Sequence, residues 1–407
     1  MFAPDGVGMH LADLGAEIIK IEAPGLGDPA RLLGRPFRGE APATRRWNRG
    51  KRSLSLDLRS ESGALVFREL VQHADAVIEG MRPGALARRG LGFPDLLEDN
   101  SRLVFATVSG WGQTGPYRNL ASHGLAFDAF AGLAPPRVAA GHIARPAGHV
   151  WQGLEAGPLY AALAIVSAIV RARASGQPAE IEVSQADAAA TWNGWRIAYE
   201  AAIGEEKTNP GIDPEGPARV EALEASAEGA GASGERDFPA LDVRYQYYST
   251  SDGTILLMAT ESRFWKNFCS GVERPDLFER WPGEGHTDHD YGNEALRGEL
   301  AEIFAGRTRA DWVAFFIEHD VAGAPVYEPG ETFRDPHFEA RDLWVDPETH
   351  GLAIVGSPVR VDGSLAVSDR AAPANGADSD AILRDVLGYD EDYIRTLRDE
   401  GILGDSR

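Results

Sequence analysis

A single cysteine, Cys269, stands in a chain of 407 residues. That excludes a disulfide framework and a cysteine metal cage, and it fits a reducing compartment. The surrounding FWKNFCSGV is apolar, which marks a buried structural thiol rather than a nucleophile. Positive charge is also short: 40 Lys and Arg against 62 Asp and Glu leave a formal charge of −22. Nucleic acid is therefore excluded as a partner, because backbone phosphates need clustered cations. The acid excess reads as solvated surface, and local basic clusters still suffice for a small anion. No unbroken apolar run reaches the roughly 18 residues a bilayer demands, so no membrane-spanning segment is expected. The opening MFAPDGVG lacks the basic and apolar regions of a signal peptide, which leaves a cytoplasmic protein as the expectation. Neither a Walker motif nor G-x-G-x-x-G follows the early strand signals, which disfavours nucleoside triphosphates and NAD. His123, His142 and His149 are spaced by 19 and 7 residues, not a metal-ligand pattern, and no metal site is expected. No fixed-period repeat is visible.

Apolar residues are plentiful, at 43% with 9 Trp, and the length exceeds what one core holds, so two or three globular domains follow. The organising stretch is Ala121 to Gly176, where ASHGLAFDAFAGL and a polar loop precede GLEAGPLYAALAIVSAIVRARASG. The last segment is apolar on every side, the pattern of a buried core helix. Pro158 is well placed for its first turn. The positive end of such a helix, with its unpaired N–H groups, suits an anion or an enolate.

Ahead of it, EIIKIE (Glu17 to Glu22) and SLSLDL (Ser53 to Leu58) alternate like strands, AVIE is a brief buried strand, LVFATVSG is a further strand, and AEIEVS follows the helix. Helical spacing at Leu65, Val66, Leu70 and Val71, and a start at Pro83 in RPGALARRG, place helices between them. This is an α/β domain with a mainly parallel sheet, whose ligands belong at the carboxyl ends of strands. ADAAATWNGWRIAYEAAIG reads as one helix. From Glu205 to Asp237 the chain turns Gly-, Glu- and Ala-rich, the composition of a mobile linker. VRYQYYST, Asp252-Gly253 and TILLMAT then form a hairpin signal with a two-residue turn. Helices at ESRFWKNFCSG, ALRGELAEIFAG and TRADWVAFFIEH complete a smaller α+β domain. GLAIVGSPVRVDG is expected as a late strand pair, and two short helices close the chain. The expected division is 1–204 for the first part of the large domain, 205–237 for the linker, 238–330 for the small domain and 331–407 for a return segment completing the large one.

LADLGAEIIKIEAPGLGDPAR, NRGKRSLSLDL, ADAVIEGMRPGALARRGLG, VSGWGQTGPY, the central helix, SDG, TESRFW and DPHFEARDLW occur in this order along nearly the whole chain. Together they resemble the family III coenzyme A transferases (CaiB/BaiF-like), which share a fold with α-methylacyl-CoA racemases. The resemblance implies a Rossmann-like large domain, a small domain and an interlocked homodimer. It also implies a coenzyme A thioester as substrate, with no permanently bound cofactor. Members carry an apolar strand before the segment matching FAPDGVG, so either the start is set late here or a sheet strand is absent.

Coenzyme A carries phosphates that need guanidinium, ammonium or free backbone N–H groups. The matching cations are Arg31, Lys51, Arg52 and Arg88, with Arg82 and Arg89 as weaker additions; each taken singly also reads as a solvated charge. In the transferases one aspartate attacks the donor thioester and carries the exchange through covalent intermediates. In the racemases a His and an Asp trade the α-proton through an enolate. Matching the helix puts that aspartate at Gly153, which has no side chain. Glu155, two residues on, is the candidate surrogate, or else a carboxylate that serves only the helix dipole. His123 matches the racemase histidine; His142 and His149 are further acids or bases, or solvated loop residues. Glu261 matches a glutamate facing the site from the small domain, or is a helix N-terminal acid. YQYY with Phe264 and Trp265 suggests either a roomy acyl pocket or core packing. Three functions remain open: a CoA transferase using Glu155, an acyl-CoA racemase or epimerase using His123 as base, and a catalytically impaired CoA-binding homologue.

Overall fold

A computed structural model describes residues 2–139, 141–146, 148–208 and 241–404. The chain divides into two units, Met1–Ala198 with Glu339–Arg407, and Tyr199–Phe338. The linker expected over 205–237 falls outside the described residues from 209 onward, while its first residues continue a helix.

In the first unit, helix α1 (Phe2–Asp13) leads into strand β1 (Ile18–Glu22), which runs parallel to β2 (Lys51–Ser55) in the register Ile18 opposite Lys51. Between them α2 (Pro42–Asn48) starts on a proline, whose fixed φ and missing N–H suit a first turn. Helix α3 (Glu61–Gln72) is capped by Ser60 and buries Val66, Phe67, Leu70 and Val71 along one face. Strand β3 (Ala76–Glu79) then opens a second parallel sheet, in which Val104–Ser109 lies between it and Ala179–Ser184. RPGALARRG gives only a 3-10 turn at Ala87–Arg89, which Gly90 ends in the left-handed region at φ 68°; a four-residue helix, α4 (Phe93–Leu96), follows. All six residues of β4 (Val104–Ser109) are buried, as expected of a central parallel strand covered on both faces.

Helix α5 (Leu125–Phe130) and a small hairpin of β5 (Arg137–Ala139) and β6 (His142–Ala144) precede α6 (Gln152–Ser175). Strand β7 (Ala179–Ser184) is followed by α7 (Gln185–Trp192) and α8 (Gly194–Thr208), two helices where one was expected. The break falls at Asn193, whose side-chain amide turns away to donate to the Ala131 carbonyl at 2.8 Å. The C-terminal helices, Ser379–Leu387 and Glu391–Asp399, return to seal one core with Ile382, Leu383, Ile394 and Leu397 against Leu54, Leu56 and the α3 face.

A second core joins Ala3, Val7 and Leu11 of α1, the inner residues of β4, and Ala161, Ala162, Ile165, Ala168 and Ala172 of α6. Small residues let the helices close: a Cβ on Gly6 would stand 2.9 Å from Pro158. Pro158 therefore lies inside α6 rather than in its first turn. The expectation of an all-round buried helix also needs correcting. One face of α6 is core, but Leu159, Leu163, Val166 and Val170 are 46–66% exposed. Its 24 residues are long and apolar enough to cross a membrane, contrary to expectation, yet the buried face is that of a core helix.

The second unit is α+β. Strands β8 (Tyr245–Ser249), β9 (Thr254–Met258) and β10 (Gly323–Val326) form an antiparallel sheet in the order β10-β9-β8. Ser249 pairs with Thr254 and the Thr250 N–H donates to the Gly253 carbonyl at 2.9 Å, so the two turn residues are Ser251 and Asp252, one position earlier than the expected Asp252-Gly253. Helices α9 (Ser262–Gly271), α10 (Pro275–Arg280), α11 (Glu294–Ala305) and α12 (Arg309–Glu318) pack Trp265, Phe268, Phe304 and Trp312 onto it. Trp265 is thus core and lines no acyl pocket, while Tyr245 and Tyr247 are exposed. Burial pushes the Cys269 thiol up to about 12, which makes it inert. In the return segment GLAIVGSPVRVDG does not pair with itself: Ile354–Val355 joins Trp344–Val345, and Arg360–Val361 joins Ser364–Leu365.

Candidate active site

A 24-residue helix leaves orphan N–H groups at its start, and the N-cap of α6, Trp151, has no side chain able to accept them. The acceptor comes from α5. Asp128, fully buried, takes the Gln152 N–H on Oδ2 at 3.0 Å and the Gly153 N–H on Oδ1 at 2.8 Å. His149 Nε2 approaches Oδ2 at 2.9 Å, so with its proton on that nitrogen Nδ1 is the basic nitrogen of the ring. Two N–H groups expected to be free for an enolate are therefore already occupied. Glycines permit this closeness. A Cβ on Gly124 would come within 2.6 Å of Leu154, and one on Gly153 within 3.1 Å of the Gln185 carbonyl and 3.2 Å of Asp128 Oδ1.

In the same first turn, Glu155 meets Arg46 of α2 in a two-bond fork, Nη1 to Oε1 at 2.9 Å and Nη2 to Oε2 at 3.0 Å. The two side chains are 31% and 34% exposed. His10 of α1 lies close enough to feel both charges; burial, outweighing the pull of Glu155, lowers its pKa below 6.5 and leaves it neutral at pH 7.

His123 sits on the exposed turn before α5, and its neighbour Gly124 packs on Leu154 beside the start of α6. No bond joins its ring to Glu155 among the described residues. Glu261 precedes α9 in the second unit and accepts from Thr260 Oγ1 at 2.9 Å without capping the helix through its side chain. His142 is exposed on β6.

The four expected phosphate ligands are not alike. Arg31 forks onto the buried Glu22 (Nε to Oε2 2.8 Å, Nη2 to Oε1 2.6 Å) and also reaches the Pro373 carbonyl. Lys51 is 2% exposed and donates to the Asp5 carbonyl at 2.8 Å and Asn48 Oδ1 at 2.9 Å. Both cations are enclosed in a network of buried charges that includes Lys20, Asp5 and Asp28, so neither presents its charge outward. Arg52 pairs with Glu17 at 2.7 Å and lies 3.7 Å from Asp385. Arg88 is exposed, and its guanidinium donates to the Pro83 carbonyl at 3.2 Å.

Sequence reasoning missed Asp128, Arg46 and His10. The only signal for Asp128 was a carboxylate in the otherwise apolar FDAF, and Arg46 was hidden among the five arginines and lysines of TRRWNRGKR.

Comparison with known proteins fits this framework. The family described as CoA-transferase family III matches residues 2–379. Succinyl-CoA–D-citramalate CoA-transferase of Chloroflexus aurantiacus is 28% identical, over 97% of this chain and 93% of its own. Human succinyl-CoA:glutarate CoA-transferase is 27% identical, over 97% and 85%. Among solved structures, a CaiB/BaiF family protein from Brucella suis superposes with a TM-score of 0.72 at 26% identity, covering 94% of this chain and 95% of its own. The chain belongs to CoA-transferase family III.

Proposed function

We propose that the protein moves coenzyme A between carboxylic acids, with Glu155 as the reacting carboxylate in place of the aspartate expected at Gly153. The accessibility of Glu155 carries this reading: it stands in the first turn of α6, partly exposed and held by a single fork, whereas Asp128 is sealed and accepts three hydrogen bonds. The Glu155 carboxylate attacks the donor thioester carbonyl, the C–S bond breaks, and a mixed anhydride forms. CoA thiolate then attacks the glutamyl carbonyl and releases the donor acid, and the acceptor acid runs the same steps in reverse. Two relatives are named for transfer from succinyl-CoA to D-citramalate or glutarate, so succinyl-CoA is the donor to try first. Arg88, with its exposed guanidinium, and then Arg52 are proposed to meet the nucleotide phosphates, while Arg31 and Lys51 hold the neighbouring loops.

Incubation with succinyl-CoA followed by hydroxylamine or borohydride is expected to modify Glu155. A protein that binds succinyl-CoA and leaves Glu155 unmodified removes this reading.

A second reading, α-proton exchange on an acyl-CoA, is favoured by the Asp128–His149 pair: a buried carboxylate orients an imidazole whose other nitrogen is free to act as base. Either His149 or the exposed His123 takes the proton. Loss of the α-hydrogen of a 2-methylacyl-CoA into deuterium oxide, abolished by His149→Ala or His123→Ala, supports it. CoA binding without either chemistry leaves an impaired homologue, the outcome that Gly153 supports.

Two copies are proposed to assemble through α6. Leu159, Leu163, Val166 and Val170 recur at intervals of four, three and four, the spacing of a seam that packs against another helix.

A further inference from the structure

The Arg46 guanidinium lies 5.2 Å over the Trp47 ring, and Glu155 is the one carboxylate it pairs with among the described residues, in a fork partly open to water. His10, the neighbouring titratable group on α1, is neutral at pH 7 and offers Glu155 no second charge. In the resting protein the carboxylate therefore has one counterion and the guanidinium has one carboxylate. Pairs exposed to this degree are only weakly stabilising, because water screens them, so the fork opens readily.

We infer that Arg46 is the receptor for the acceptor acid, and that Glu155 occupies it as an internal stand-in until Glu155 is acylated. The inference rests on the reading of Glu155 as the reacting carboxylate. Conversion of that carboxylate to an anhydride or thioester removes its negative charge. Arg46 then keeps a full positive charge and a planar pair of donors with nothing to fill them. A free carboxylate fits the same fork and arrives next to the glutamyl carbonyl. Its oxygen forms a bond to that carbon, the C–S bond breaks, and CoA leaves as thiolate. The thiolate next attacks the acyl carbon of the new anhydride and the C–O bond to Glu155 breaks. Glu155 recovers its charge, reclaims Arg46, and leaves no fork for the product thioester, which has no charge at that carbonyl. The ion pair thus orders the two halves of the exchange: the acid site opens only after the donor has reacted.

Glu155→Gln imitates the uncharged acylated state, and Glu155→Ala vacates the fork altogether. A tethered carboxylate competes at an effective concentration in the millimolar range, so its removal is expected to tighten succinate binding on the order of tenfold in titration calorimetry at low salt. Glu155→Gln with Arg46→Gln is expected to lose that gain, and circular dichroism confirms that all variants are folded. Succinate binding no tighter in either Glu155 variant than in the parent, or a gain that survives in the double variant, overturns the inference. The readout needs no turnover. A gain alongside an unmodified Glu155 in the trapping experiment keeps Arg46 as a carboxylate receptor and ends the transfer mechanism; trapping without a gain ends only the receptor.

Discussion

The carboxylate of Asp128 lies 2.8 Å from the amide nitrogen of Gly153, so a side chain on one short helix caps the start of a much longer one. Asp128→Ala leaves the Gln152 and Gly153 N–H groups without their acceptor and deprives His149 of its partner, beside a carboxylate that is fully buried. The expected loss is about 2–4 kcal/mol of unfolding free energy, from the missing cap and the stranded donors. Asp128→Asn keeps the shape and one acceptor oxygen and should lose about half as much. Urea unfolding measures both; equal stability in all three proteins means that something other than Asp128 holds the helix end.

Gly153→Asp restores the residue type that the family pattern puts there, yet it is expected to fail. The new Cβ falls 3.2 Å from Asp128 Oδ1 and 3.1 Å from the Gln185 carbonyl, and it brings a second negative charge into a buried space. Overpacking alone costs about 1–3 kcal/mol, and the like charge adds to it. A thermal melt should show a clearly lowered midpoint and no gain in CoA transfer. A stable, more active Gly153→Asp would mean that Asp128 moves aside, and that the cap is not fixed.

Periodicity exposed the parallel strands, the amphipathic α3 and the hairpin of the second unit, because each buries one face with its own repeat. The register of side chains across elements was not legible. Nothing in FDAF indicates that its carboxylate turns to cap a helix more than twenty residues on, since the hairpin between them sets that approach. Lys51 and Arg31 looked like surface cations because composition cannot tell an exposed charge from one enclosed with Asp5 or Glu22. The helix α6 looked fully buried because its outer Leu159–Val170 stripe is as apolar as its inner one. Gly153 and Glu155 were legible as a pair; that Arg46 answers Glu155 from over a hundred residues away was not.

Lys51 gives the protein a stability that rises with pH in one window. Burial pulls its pKa from 10.5 to about 8, and Asp5 offsets this only in part. Asp5 is shared: its Oδ1 is 2.7 Å from Lys20 and 3.4 Å from Lys51. Between about 8 and 10.5 the unfolded chain still binds the proton that the folded Lys51 has released, so folding gains as pH rises through that interval. The full effect is on the order of 3 kcal/mol, of which roughly 2–3 kcal/mol falls between pH 7.5 and pH 10. Lys51→Met has no such proton. The difference in unfolding free energy between parent and variant should move toward the parent by about that amount from pH 7.5 to pH 10; a pH-independent difference means that Lys51 stays charged throughout.

The outer stripe of α6 makes the last prediction. Leu159, Leu163, Val166 and Val170 expose apolar surface along three turns of a helix whose opposite face is already committed to β4 and α1. A contiguous apolar strip of this kind is unfavourable in water unless another surface covers it. Leu163→Glu with Val166→Glu puts two carboxylates in the middle of the seam and touches no buried core residue, so the folded protomer should keep its secondary structure and its melting behaviour at high dilution. If a second copy covers the stripe, light scattering after gel filtration should read twice the 43.8 kDa chain mass for the parent and the single mass for the variant. A parent that runs as a single chain, or a variant that still pairs, assigns the stripe to some other partner and leaves α6 out of self-assembly.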